Sequence, residues 1–214
     1  MDRRSLIKTM AAIPLMAGAM GVSAVTESSA IIKPRYLRKG MTIGLVSPAS
    51  NVPEDEDIAF ARDVVASLGF SVKPAKHLYQ RNQYLAGTDA QRAEDLNAMF
   101  ADRQVDAIFC LRGGYGSSRL LPLLDYELIR ANPKVLMGYS DITALLCAIH
   151  QRTGLVTFHG PIAGDNFTEY SYEQFRRTLM NKRSGQLLAP PPPLEHCSPA
   201  LSRAWARSPV QPAR

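Results

Sequence analysis

Between residues 36 and 184 the chain alternates between two hydrophobic periods. Short unbroken apolar runs, the pattern of strands buried on both faces, occur at Met41–Ser47, Phe70–Lys73, Val105–Cys110, Lys134–Gly138 and Val156–His159. Between them apolar residues recur every three or four positions. Glu54–Leu68 aligns Ile58, Ala61, Val65 and Leu68, opens with acidic residues and stops at Gly69. Asp89–Phe100 follows Thr88-Asp-Ala-Gln91, which matches a capping box. Further helices are predicted over Ser117–Leu124, Tyr126–Ala131, Asp141–Arg152 and Tyr172–Asn181. Strand–helix alternation with short connections predicts an α/β fold, a parallel sheet with helices on both faces. Ligands of such sheets collect at the carboxyl ends of the strands. Here those ends carry Ser47-Pro-Ala-Ser50, Arg112–Gly116 and Tyr139-Ser140-Asp141.

The two ends break the pattern. Residues 1–30 place Arg3-Arg4 before Leu6-Ile7 and Lys8, then run uncharged from Thr9 to Thr26. This resembles a twin-arginine export signal, with small residues before a cut at Ala24 or Ala30. The mature protein is then expected in the periplasm, meeting the membrane only in transit. From Pro190 to Arg214, seven of 25 residues are Pro and no periodicity is visible. Residues 185–214 read either as a disordered tail or as the product of a shifted reading frame.

Composition narrows the function. The net charge of +6 is diffuse, and about half of it lies in the two end segments. A nucleic-acid partner calls for positive charge concentrated on a folded surface, so none is expected. Cys110, Cys147 and Cys197 form neither a disulfide framework nor a zinc spacing, and Cys110 and Cys147 read as buried core thiols. The acidic run Glu54–Asp57 reads as a solvated helix start rather than a metal site.

Two segments carry candidate chemistry. Gly138-Tyr-Ser-Asp-Ile142 lies between a strand and a helix, the context of a nucleophile elbow, although Ile142 stands where that motif has its second Gly. Ser140 can equally be a plain helix N-cap, and caps are the commoner use of such a serine. Arg112-Gly-Gly-Tyr-Gly-Ser-Ser118 lets backbone N–H groups approach a ligand closely. It lacks the Lys and the spacing of nucleotide loops, and it makes better sense as an oxyanion loop facing Ser140. A Cys-nucleophile amidotransferase is disfavoured because no Gly-x-Cys-x-Gly elbow exists.

Arg112-Gly-Gly-Tyr-Gly116, then Gly138-Tyr-Ser-Asp-Ile-Thr143, then Thr157-Phe-His-Gly-Pro161, together with Thr42–Ala49, resemble the L,D-carboxypeptidase family of serine peptidases. The resemblance runs from about Lys39 to Leu188. It implies a flavodoxin-like or amidotransferase-like N-terminal domain followed by a C-terminal domain. It also implies Ser140 as nucleophile and an oxyanion hole from Gly113 or Gly114 and from Asp141. Arg112 and Tyr115 would lie near the substrate, a murein tetrapeptide that loses a terminal D-Ala. No metal or organic cofactor is implied, and a homodimer is compatible with it. The family completes a Ser–His–Glu triad from its C-terminal domain, which this sequence is expected to lack. His77 and His150 are expected to be structural, His159 structural or substrate-side, and His196 lies in the tail with Glu195. Without a base, a serine loses on the order of 10⁴–10⁶ in rate, so an impaired enzyme is expected. The alternative is an exported binder of peptidoglycan fragments.

Overall fold

The computed structural model describes residues 30–165 and 167–181. The export signal and the Pro-rich tail expected from the sequence lie outside these residues. Five strands form one sheet: β1 Thr42–Val46, β2 Ser71–Pro74, β3 Ala107–Cys110, β4 Val135–Gly138 and β5 Phe158–His159. All neighbours are parallel, in the order β2-β1-β3-β4-β5. β3 and β4 are buried at every residue, which is why their sequences run apolar without alternation. β2 is an edge strand and tolerates Lys73 and Pro74.

The helices are α1 Asp55–Ser67, α2 Asp89–Ala101, α3 Tyr126–Ala131, α4 Thr143–Thr153 and α5 Glu169–Phe175. Reciprocal capping boxes start α1 (Glu54 with Asp57) and α2 (Thr88 with Gln91). α1 buries Ile58, Ala61 and Val65, and α4 buries Leu145, Leu146 and Ile149, the stripes their sequences present. Gly44 and Ile108 are register partners and share one face of the sheet; Met99 of α2 packs on Gly44 there. Phe109, next along β3, points to the opposite face. There Phe175 of α5 meets the rings of Phe109, Phe70 and Phe167 edge-on, with centroids 5.7–6.1 Å apart. Helices thus cover both faces, as the alternating pattern predicts.

Three local differences from the sequence reading have physical causes. Ser117–Leu123 is a 3₁₀ helix rather than an α-helix. Pro122 inside it has no N–H to donate, and in an α-helix its ring would clash with the carbonyl four residues back. The last helix starts earlier, at Glu169, because Thr168 caps the Ser171 N–H; it then loosens into a π turn over Arg176–Met180. β5 is only two residues long: Leu155 bridges Ile32 instead, and the Thr157 hydroxyl donates to the Leu146 carbonyl.

The strand order reverses direction between β1 and β3, and crevices at such switch points bind ligands. The loops after β1 and β3 flank this one, and the loop after β4 stands beside them.

Candidate active site

Ser140 sits one residue past Tyr139, where β4 ends and a 3₁₀ turn over Ser140–Ile142 leads into α4. Its φ is +61°, in the left-handed region. An L-residue there costs about 1–2 kcal/mol and persists only where its surroundings fix it. Two anchors do so. Ile142 is buried against Gly138. Asp141 is tied to the glycine loop, its carboxylate accepting the Ser117 N–H at 2.8 Å and its carbonyl the Ser117 hydroxyl at 2.6 Å.

Ser140 is exposed, and its Oγ makes no hydrogen bond among the described residues. Neither the 3₁₀ turn nor α4 has a side-chain cap. The N-cap reading of Ser140 is therefore not realised. A serine held in a strained turn with an unengaged hydroxyl has the geometry of an elbow, not of a cap.

The structure brings the glycine loop against this hydroxyl. A Cβ on Gly113 would lie 3.0 Å from Ser140 Cβ, 3.2 Å from the Tyr139 carbonyl and 3.4 Å from Ser140 Oγ. Gly114, at φ +107°, presses on Ser50; a Cβ there would collide with Ser50 Oγ. Ser50 fixes the loop from behind: its N–H donates to the Gly113 carbonyl at 3.2 Å and its Oγ accepts the Tyr115 N–H at 3.1 Å. The N–H groups of Gly113, Gly114 and Asp141 make no hydrogen bond among the described residues. Three unspent donors thus lie in the two loops that meet at Ser140.

Arg112 and Tyr115 are both exposed at this end of the sheet. Arg112 spends one nitrogen on the Asn51 carbonyl, 2.7 Å away. The Tyr115 ring pairs with that of Tyr84, with centroids 5.9 Å apart. Sequence reasoning missed Tyr84, which lies in an aperiodic polar stretch and gave no signal. It also missed Arg92, which is 1% exposed and binds the carbonyls of Pro48 and Gly116. That residue did leave a signal, a charge on the apolar stripe of α2 four residues before Leu96.

The remaining titratable groups are mostly spent elsewhere. Burial alone would raise the Asp89 carboxyl, but its bonds and charges from Arg119 and Arg92 hold it below the ordinary range. Burial lowers the Arg92 guanidinium, and Asp89 opposes that shift. Among the histidines, His77 Nε2 pairs with Glu94 at 3.1 Å and His150 Nδ1 with the Leu155 carbonyl at 2.9 Å. The His159 ring lies 6.3 Å from that of Tyr139. No hydrogen bond joins any of them to Ser140. Cys110 is buried and its thiol is pushed up to about 12 by that burial. Cys147 corrects the expectation of two core thiols. It is exposed on α4, between the buried stripe residues Leu146 and Ile149. No metal-binding cluster and no helix able to cross a membrane occur among the described residues.

The sheet order and its flanking helices define a flavodoxin-like α/β domain with a loop site at the switch point. Residues 43–160 match the LD-carboxypeptidase N-terminal domain of peptidase family S66, and the chain belongs to that family. A probable murein peptide carboxypeptidase of Bacillus subtilis is 44% identical over 150 residues, covering 66% of this chain and 47% of its own. The murein tetrapeptide carboxypeptidase of Pseudomonas aeruginosa is 43% identical over 122 residues, covering 56% and 39%. The crystal structure of an MccF-like protein from Bacillus anthracis superposes with a TM-score of 0.66 at 37% identity, covering 70% of this chain and 47% of that one. The chain thus spans about half the length of the relatives it matches.

Proposed function

We propose that this chain carries the nucleophile domain of a serine L,D-carboxypeptidase that removes a terminal D-alanine from murein tetrapeptides. Ser140 Oγ adds to the scissile carbonyl carbon. The N–H of Gly113 or Gly114 and that of Asp141 receive the oxyanion. The C–N bond then breaks, D-alanine leaves with the proton, and water hydrolyses the acyl-serine. Arg112 retains free donors for the substrate's terminal carboxylate, and Tyr115 offers a ring beside it. The observation that carries this reading is Ser140 itself, strained and exposed, with an unengaged hydroxyl and Gly113 close against it.

A serine needs a base to take its proton, and a third group to orient that base. We place both outside the described residues. The described part alone is then expected to turn over slowly. Residues 1–30 serve in this proposal as a twin-arginine leader that delivers the protein to the periplasm; a reporter fused to them that stays in the cytoplasm removes that element.

The test is D-alanine release from a murein tetrapeptide by the full chain, alongside calorimetric binding of the same peptide. Ser140→Ala should abolish release and leave binding within a few-fold. A chain that neither binds nor cleaves the peptide refutes the proposal. That no histidine among the described residues is bonded to Ser140 favours one rival, a non-catalytic binder of murein fragments. Binding without any release, by wild type and Ser140→Ala alike, would establish it.

A further inference from the structure

Arg92 enters the site from behind. It lies in the first turn of α2 and is 1% exposed, and its guanidinium reaches the loops at the switch point rather than solvent. Its Nη1 donates to the Pro48 carbonyl at 2.6 Å and to the Gly116 carbonyl at 3.1 Å. These two acceptors belong to different loops, the one after β1 and the one after β3. Its Nη2 pairs with Asp89, and Asp89 also holds Arg119 at 2.7 Å. Gly116 sits at φ +100° with its Cα toward this guanidinium, a Cβ there lying 3.4 Å from Nη1.

The arrangement is costly. Arg92 Nε is buried with no hydrogen-bond partner among the described residues. A buried donor left unmade costs about 1–3 kcal/mol, more on a charged group. The position falls on the apolar stripe of α2, where a leucine would pack at no such cost.

What the guanidinium secures is the placement of both loops. Gly116 is followed directly by Ser117, whose N–H and hydroxyl hold Asp141. Pro48 is two residues before Ser50, which holds Gly113 and Tyr115. Both sets of unspent N–H groups, those of Gly113–Gly114 and that of Asp141, are therefore tied back to one planar group.

We propose that Arg92 is a positioning residue for the oxyanion site, its bonds to Pro48 and Gly116 setting where the glycine-loop and Asp141 amides stand relative to Ser140. This inference rests on the serine carboxypeptidase reading above. Removing one oxyanion donor typically costs 10²–10³ in rate, so misplacing the donors should be visible in a mimic of the tetrahedral state.

The experiment compares two probes on the full chain, a murein tetrapeptide and a peptide boronic acid that forms a tetrahedral adduct on a serine hydroxyl. Arg92→Lys keeps the charge but not the two-carbonyl bridge. It should weaken boronate binding at least tenfold and change peptide binding by less than threefold. Near-UV circular dichroism checks that the variant is folded. If it does not fold, Arg92→Gln serves instead: it removes the guanidinium that reaches both carbonyls and should shift boronate binding in the same direction. Equal losses for both probes, or none, overturn the positioning role. A wild-type chain that binds the peptide but does not prefer the boronate removes the oxyanion site, and Arg92's role with it. A wild-type chain that binds neither probe instead removes the functional reading underneath.

Discussion

Ser140→Gly should make the folded chain more stable while removing the proposed nucleophile. The wild-type residue holds φ at +61°, which costs an L side chain about 1–2 kcal/mol and glycine almost nothing. Little is lost in exchange, because Ser140 Oγ has no hydrogen bond among the described residues and the side chain is exposed. Against the gain stands the added freedom of glycine in the unfolded chain, about 0.4–1 kcal/mol. The balance is a stabilisation of about 0.5–1 kcal/mol, or roughly 1–4 °C in Tm for a domain of this size. Ser140→Ala keeps the Cβ and hence the strain, so it should stay within about 0.5 kcal/mol of wild type. Ser140→Val adds a β-branch in the same region and should be the least stable of the series. Urea denaturation of the four proteins at one pH gives the ranking, and D-alanine release gives the functional cost. A Ser140→Gly protein no more stable than Ser140→Ala would refute the claim that this turn stores strain for function.

Two further outcomes follow from particular side chains. Lys73 Nζ lies 2.5 Å from the Asp102 carboxylate, and that bond, helped by the Gln104 N–H, holds Asp102 below its ordinary value of 3.8. A depressed folded pKa gives stability that is present above the unfolded value and lost as pH falls through the folded one. The stability gap between wild type and Lys73→Gln should therefore be open above about pH 4 and close below it, and a gap independent of pH would contradict the pairing. In a Cys197→Ser background, one thiol should react with an aromatic disulfide reagent in the native protein and two in denaturant. Cys147 is exposed, whereas Cys110 is buried with its thiol pushed up to about 12. Rapid native labelling of both would contradict the burial of β3.

The two hydrophobic periods were enough to read the layered α/β class, because a strand buried on both faces must be apolar throughout and a covering helix only along a stripe. The capping boxes at Glu54 and Thr88 are equally local, since each needs only its own four residues. The glycine loop and the Ser140 turn were visible as candidates for the same reason. What sequence could not decide was whether Ser140 caps a helix or presents a free hydroxyl. Both readings use the same residues in the same order, and they differ only in a backbone angle fixed by Gly138, Ile142 and Ser117. Cys147 was misread on similar grounds, since its helical neighbours are apolar and only packing showed that it faces outward.

Sequence alone thus determined the class of fold, the order of its elements and the segments in which chemistry could occur. All of these follow from short-range periodicity and turn preference. Tertiary structure alone decided that the loops after three separate strands converge, that Gly113 lies against Ser140, and that a guanidinium from α2 ties two of those loops together. The physical reason is that contacts between residues 48, 92, 116 and 140 depend on the parallel order of the strands, which no local pattern encodes.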